Sequence, residues 1–240
     1  MENSLAGTIH KNYDLLVSHD LHIVGEVTIP ISHCLLANRG VKLEDVKVVL
    51  SHPVALAQCE SFIKAQGLQK EVTYDTAGSA EMVMQSGARD RAAIAGKTAA
   101  ARYNLDVLAS GVQDESDNYT RFLILSRRPA PPSPGRKSRT TFLIGLPNRA
   151  GSLVHALTIF SMRGLDLSKL ESRPLPAGKL GDAIREVFTA GTNGEDPAEF
   201  PTMFVLDVLG ATTDTPMQNA IRHLQEENTF VRVLGSYPIK

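Results

Sequence analysis

Asn118, Thr120 and Arg121 stand immediately ahead of four apolar residues, Phe122–Leu125, in the stretch NYTRFLILSR. An amide, a hydroxyl and a guanidinium at the mouth of a buried strand suit an anionic ligand, with the hydroxyl in reach of a reacting atom. They also suit an ordinary strand start. In YDTAGSAE, Asp75 or Thr76 is placed as an N-cap before Ala77, Gly78 and Ser79. Small residues there let an anion approach the backbone N–H groups of a helix start, and equally make a well-capped helix. In SHPVALAQC, Leu56, Cys59 and later Ile63 share one helical face. Gln58 falls about 200° from Leu56, facing either water or a cleft. Ser51 and His52 are adjacent, a poor arrangement for a nucleophile and its base, and the chain has no G-x-S-x-G elbow.

Other patterns are weaker. The GKT at Gly96–Thr98 lacks the glycine of a phosphate loop, whose place is taken by Arg91. His19 and His22 have no third ligand in sequence, so no metal site is expected. The opening ENSLAGT reads either as a frayed terminus or as a polar cleft segment. NRAGSLV places a glycine at a strand-to-helix turn, and Glu171, Ser172 and Arg173 end a strand where they could hold an amino acid's charged groups or simply meet solvent.

The elements that must position these residues are legible. The stretch RRPAPPSPGRKSR, rich in proline, can join neither sheet nor helix and reads as an extended linker over 129–137, dividing the chain into 1–128 and 138–240. The first part alternates strand and helix: HIVGEVTIPISHCLLA, VKVVL, the helix HPVALAQCESFIKAQG, EVTY, a helix over about Thr76–Ser86, AAIAG, a helix through Tyr103, DVLASGV and TRFLILSR. This implies an α/β layer with a largely parallel or mixed sheet. The second part reads β-α-β-β-α-β, the ferredoxin-like split βαβ, with a long Gly- and Pro-rich loop expected between Pro174 and Phe200.

Composition excludes several classes. The chain of 240 residues is 42% hydrophobic and carries net charge −1, leaving no electrostatic footprint for nucleic acid or an anionic membrane. No apolar run approaches the roughly 18 residues that span a bilayer. The first residues have neither the apolar core of a secretion signal nor the Arg-rich character of a transit peptide. Two cysteines, Cys34 and Cys59, without metal-ligand spacing imply buried thiols in a reducing compartment.

ENSLAGTIHKNYDLL, SHPVALAQC, YDTAGSAE and NYTRF, in that order, resemble the motifs of prephenate and arogenate dehydratases, and GSLV and ESRP resemble the two effector motifs of their ACT regulatory domain. HKNYDLL…LHIVGEV and FVRVLGSYP are most similar to the plant and algal members. Val54 stands where the family often has glutamine and Ser152 where alanine is usual, both mild departures. Family members carry a further stretch ahead of ENS that builds much of a first lobe.

The resemblance implies a type II periplasmic-binding-protein-like catalytic domain with its first lobe incomplete, followed by a ferredoxin-like ACT domain. It implies a cofactor-free removal of water and carbon dioxide from arogenate or prephenate, leaving an aromatic ring. Thr120 matches the family's catalytic threonine, a donor to the leaving hydroxyl. Glu2, Asn3, Ser4, Ser51, Gln58, Thr76, Asn118 and Arg121 would bind substrate. Gly151, Ser152, Leu153, Val154, Glu171, Ser172, Arg173 and Pro174 would bind phenylalanine as effector in a homo-oligomer joined through ACT domains. The family setting is the chloroplast stroma. The competing expectation, drawn from the incomplete lobe, is a non-catalytic phenylalanine-binding or oligomer-forming module; a solute-binding protein fits the ACT motifs poorly.

Overall fold

Apolar runs with no polar alternation mark strands covered on both faces, and the computed structural model places them so. It describes residues 1–19, 21–132, 135–175, 178–189, 202–227 and 230–239. In chain order these form β1 (Glu2–Asn3), β2 (Gly7–Thr8), α1 (His10–Ser18), β3 (His22–Pro30), β4 (His33–Ala37), β5 (Val48–Ser51), α2 (Pro53–Ala57), α3 (Glu60–Ala65), β6 (Gln69–Val72), α4 (Thr76–Ser86) and β7 (Arg91–Gly96). There follow α5 (Lys97–Tyr103), β8 (Asp106–Ser110), β9 (Tyr119–Ser126), β10 (Ser138–Gly145), α6 (Ser152–Ser161), β11 (Leu167–Pro174), α7 (Lys179–Thr189), β12 (Thr202–Leu209), α8 (Thr215–Glu226) and β13 (Phe230–Pro238). None of the described helices is long and apolar enough to cross a membrane.

Contacts group the chain into two units. One holds Met1, Ile9–Val27 and Phe122–Lys240; the other holds Glu2–Thr8 and Thr28–Arg121. A cut at the Pro-rich stretch would separate 9–27 and 122–128 from the C-terminal part. The grouping differs because apolar residues of 9–27 enter that part's core, as described below.

The unit built on Thr28–Arg121 has a five-stranded sheet in the order β6-β5-β7-β4-β8. β5 runs parallel to β6 and β7, while β4 is antiparallel to β7 and β8. Successive side chains leave opposite faces of a strand. Leu35, Val49 and Ile94 therefore pack with Leu56, Cys59 and Ile63 on one side. Leu36, Leu50, Ala93 and Ala95 pack with Ala80 and Val83 of α4 and Ala99 and Ala100 of α5 on the other. Both cysteines are buried and free.

Two sequence-based expectations are refined here. The strand-like run 22–37 is two strands, interrupted where the Ile31 N–H donates to the Asn118 carbonyl at 2.7 Å. The helix expected over 52–67 is broken at Gln58–Cys59. There Asp114 N–H donates to Gln58 O at 2.7 Å, and the Asp114 carboxylate accepts from Ser61 N–H at 3.1 Å, capping α3 afresh.

In the other unit, an antiparallel sheet runs β11-β12-β10-β13. Phe142, Ile144, Leu206 and Val208 face α6 and α8, burying Phe160 and Leu224 among others. Leu143, Val205, Leu234 and Tyr237 face the opposite way, onto Tyr13 and Leu16 of α1, Ile23 of β3 and Ile184 of α7. Full burial of each such side chain contributes roughly 1.5–3 kcal/mol. The long loop expected after Pro174 contains α7 instead. Its Ile184 is fully buried, and the rest of that loop, 190–201, lies outside the described residues. A polar set is also buried here: Thr141 Oγ1 donates to Asp207 Oδ1 at 2.6 Å and sits 2.9 Å from Tyr237 Oη.

A β-bulge opposite Thr141–Phe142 brings Gly235 against the backbone of β3. A Cβ at Gly235 would lie 2.0 Å from the Ile23 carbonyl oxygen, which has no freedom to move aside. Gly235→Ala is expected to cost on the order of 3 kcal/mol. Gly145→Ala, whose Cβ would meet Cγ2 of the buried, β-branched Ile184 at 2.5 Å and Phe230 Cβ at 3.2 Å, should also destabilise. Thermal denaturation checks both; equal melting temperatures for wild type and Gly235→Ala would refute the packing.

Candidate functional site

The candidate site is built on a two-residue ladder. β1 pairs antiparallel with β9 in the register Glu2↔Arg121 and Asn3↔Thr120. Directly opposed residues point to the same face, and neighbours along a strand point to opposite faces. Asn3, Asn118 and Thr120 therefore converge, while Glu2 and Arg121 form an ion pair of 3.3 Å.

Asn3 is the centre of a hydrogen-bonded ring. Its Nδ2 donates to Asn118 Oδ1 at 2.7 Å, to Tyr119 O at 3.1 Å and to Thr120 Oγ1 at 3.1 Å. Its Oδ1 accepts from the N–H groups of Leu5 and Ala6 at 3.0 and 2.9 Å, an Asx turn that fixes the amide's orientation. Asn118 Nδ2 donates to Gln58 Oε1 at 3.2 Å, and Gln58 Nε2 reaches back to Asn3 Oδ1 at 3.4 Å. The break between α2 and α3 is what turns Gln58 into this ring. Ser4 braces the ladder from beside it, its Oγ accepting from Tyr119 N–H at 2.9 Å and donating to Asp117 O at 3.1 Å.

His33, at the start of β4, completes the ring. Gln58 Oε1 lies 3.1 Å from His33 Nε2 and has no proton to give, so Nε2–H is the donor. His33 Nδ1 is buried with no hydrogen-bond partner among the described residues. Burial holds the imidazole below its ordinary range, against the opposing pull of the Gln58 hydrogen bond. His33 is not among the residues that the sequence singles out. The available signal was a polar residue at the head of the apolar run HCLLA, where burial forces it to find a partner.

The chemistry on offer is neutral and directional. Thr120, 7% exposed, has its oxygen engaged by Asn3, and no acceptor for its hydroxyl proton stands among the described residues. It is oriented to donate. The Asn3 amide holds it in place and is itself held by Asn118 and Gln58, and no carboxylate enters the ring among the described residues.

The remaining expected residues lie elsewhere. Ser51 is fully buried and donates to Ile94 O at 2.6 Å, which commits its proton to the backbone. Thr76 opens α4, whose cap is Asp75 accepting from Gly78 N–H at 2.6 Å. Gly151 and Ser152 line a cavity of about 280 Å³ with Arg149, His155 and Glu227. Leu153 and Val154 continue α6 beyond them. Glu171, Ser172, Arg173 and Pro174 lie on the edge strand β11 and are not part of that cavity's lining. Glu171 has one oxygen 3.6 Å from Lys169 Nζ and the other buried without a hydrogen-bond partner among the described residues. Arg173 holds a carboxylate of its own chain, Asp14, at 2.9 and 3.0 Å. Cys59, near Gln58, has its thiol pushed up to about 12 by burial and by the Asp114 charge.

Residues 1–130 match the family model of prephenate dehydratase. The chain is 49% identical over 238 residues to arogenate dehydratase 2 of Petunia hybrida, covering 99% of this chain and 59% of that protein. It is 45% identical over 239 residues to the chloroplastic arogenate dehydratase/prephenate dehydratase 2 of Arabidopsis thaliana, covering 100% and 60%. The chain thus spans about 60% of the length of the curated relatives it matches. Among solved structures, it is similar to a chain described as GqqA, a novel type of quorum quenching acylase (TM-score 0.83, 36% identity, covering 100% and 80%). It is also similar to a prephenate dehydratase from Arthrobacter aurescens in complex with L-Phe (TM-score 0.81, 30% identity, covering 97% and 71%).

The depressed His33 gives a pH signature. An unfolded chain protonates this residue near 6.5, whereas the folded chain resists until lower pH. The unfolded state then binds more protons, so stability falls on acidification and the His33 contribution is fully present above about 6.5. Urea denaturation from about pH 7.5 to about pH 5 should show a shallower loss of stability in His33→Gln than in wild type. Parallel curves would contradict the buried neutral imidazole.

Proposed function

The chain belongs to the prephenate dehydratase family, and from that premise we propose that it carries the dehydratase site for arogenate or prephenate in phenylalanine formation. The observation that carries this reading is the Asn3–Asn118–Gln58 ring presenting the Thr120 hydroxyl with its proton uncommitted. In the reaction the bond from the ring carbon to its carboxylate breaks and releases carbon dioxide. The electron pair moves into the ring, and the C–O bond to the ring hydroxyl breaks. Hydroxide is a poor leaving group, so a hydrogen bond that strengthens as negative charge gathers on it lowers the barrier. Thr120 supplies that hydrogen bond; Asn3 and Asn118 fix its position, and Gln58 and His33 hold the ring closed. Loss of water and carbon dioxide gives phenylalanine from arogenate and phenylpyruvate from prephenate.

The C-terminal part is proposed as an ACT domain binding phenylalanine as effector in a homo-oligomer. The antiparallel order β11-β12-β10-β13 supports this, as do the cavity at Gly151–Ser152 and the spare carboxylate oxygen of Glu171, suited to an ammonium group. The mixed sheet β6-β5-β7-β4-β8 supports a lobe of the periplasmic-binding-protein type. The chloroplastic naming of the Arabidopsis relatives supports a chloroplast location. Acyl transfer, named for one structural neighbour, finds less support: the Ser51 hydroxyl donates its hydrogen bond to Ile94 O, and the Cys59 thiol is held protonated.

Turnover of arogenate and of prephenate by the purified chain is the test. Thr120→Val should lower kcat on the order of 10²–10⁴-fold with the fold intact, and Thr120→Ser should retain part of the activity. Turnover undiminished in Thr120→Val would overturn the assignment. Absence of turnover on both substrates would instead favour a phenylalanine-binding module without catalysis. In a separate titration, phenylalanine should bind saturably. Glu171→Gln should weaken it by roughly 10–100-fold, the worth of a charge-assisted hydrogen bond; unchanged binding would remove Glu171 from the effector site.

A further inference from the structure

α6 and α8 lie side by side on one face of the sheet, burying Ala156, Ile159 and Phe160 from one and Met217, Ala220 and Leu224 from the other. On their outward flank three metal-ligating side chains meet. His155 comes from α6; His223 and Glu227 come from the end of α8, one helical turn apart. Each imidazole offers its Nε2 to a different oxygen of the same carboxylate, His155 to Oε2 and His223 to Oε1, both at 3.7 Å. The rings are edge-to-face with centroids 6.3 Å apart, and one ligand atom from each of the three residues falls within 4.8 Å of the others.

We propose that His155, His223 and Glu227 form a binding site for a divalent transition metal, zinc or a first-row neighbour, with a fourth position left to water. The donor set, two imidazoles and a carboxylate, is one that zinc takes. Metal–ligand bonds of about 2.0–2.1 Å in tetrahedral geometry require ligand atoms roughly 3.3 Å apart. The side chains are half exposed, so small rotamer changes suffice to contract the present spacing. The helix backbones, held by the core beneath, set the separation of the ligands.

One neighbour opposes the ion. Arg163 Nη2 lies 3.2 Å from His223 Nδ1, and its Nη1 donates to Ile159 O at 2.7 Å. A metal on Nε2 leaves the ring proton on Nδ1, which can no longer accept from a guanidinium, and the arginine's charge repels the cation. Binding must therefore turn Arg163 away. The sequence alone does not show this ligand set, because His155 stands far from the HLQEE of His223 and Glu227 in the chain and only helix packing joins them. His155 and Glu227 also line the cavity at Gly151–Ser152, so the ion would sit at its wall.

The test is titration of the metal-free chain with zinc by calorimetry, and with cobalt by visible absorption. One equivalent should bind and raise the melting temperature, with reversal by chelator. His155→Ala, His223→Ala and Glu227→Ala should each weaken binding by more than the roughly 10–100-fold that loss of an outer partner costs. Arg163→Gln should tighten it, since the amide oxygen can accept from Nδ1–H. A His19→Ala/His22→Ala variant should bind as wild type. The three ligands are surface side chains, so their variants keep the fold, and circular dichroism melts verify this. Zinc binding unchanged in His155→Ala and His223→Ala, or no binding to wild type, would overturn the proposal.

Discussion

Everything at the candidate site depends on a two-residue ladder. Glu2 and Asn3 pair with Arg121 and Thr120, and the alternation of side chains does the rest. In this register an amide faces the hydroxyl and a carboxylate faces the guanidinium. A slip of one residue would exchange them, putting Glu2 into a ring of neutral amides and leaving Arg121 without its carboxylate. The Asx turn at Asn3 and the Ser4 bonds to both neighbours of Asn118 pin the register. Those contacts explain why a strand too short to hold by ladder bonds alone can position four side chains.

The C-terminal sheet is covered on both faces, and its second cover comes from early in the chain. Tyr13 and Leu16 of α1 pack on Leu143, Val205 and Tyr237. Lys169 lies over the Tyr13 ring at 5.1 Å, and Arg173 clamps Asp14 through both carboxylate oxygens. Arg173 Nη2 and Asp14 are thus committed to joining α1 to β11. The arginine's Nε is buried without a hydrogen-bond partner among the described residues.

Element types were legible where hydrophobic period and caps agreed. Thr76–Ser86 follows from the cap offered by Asp75 or Thr76, and the strands from their apolar runs. What the sequence could not carry were features set by distant partners. The break at Gln58 comes from Asp114, in a loop far along the chain. The burial of Ile184 makes a helix of a segment that its glycines and prolines disguised. At the site, Thr120, Asn118, Asn3 and Gln58 were singled out from types and motifs, and the structure brings them together. Ser51 and Thr76 were singled out with them, but Ser51's hydroxyl is turned to the backbone and Thr76 opens a helix without joining the ring. His33 was passed over because nothing local distinguishes a ring member from a core histidine.

The sequence separations in the ring have a kinetic meaning. Asn3 meets Asn118 across 115 residues, and Gln58 meets Asn118 across 60. Closing loops of that length is among the slower and costlier steps of chain organisation. The five-stranded sheet, whose strands all lie within 33–110, can consolidate before Glu2 and Asn3 find β9. The pairing of β1 with β9 is then a closing latch, set after the scaffold has formed. During synthesis Asn3 stays without these partners until Thr120 has been made, so the hydroxyl becomes oriented only when both sides of the latch are present.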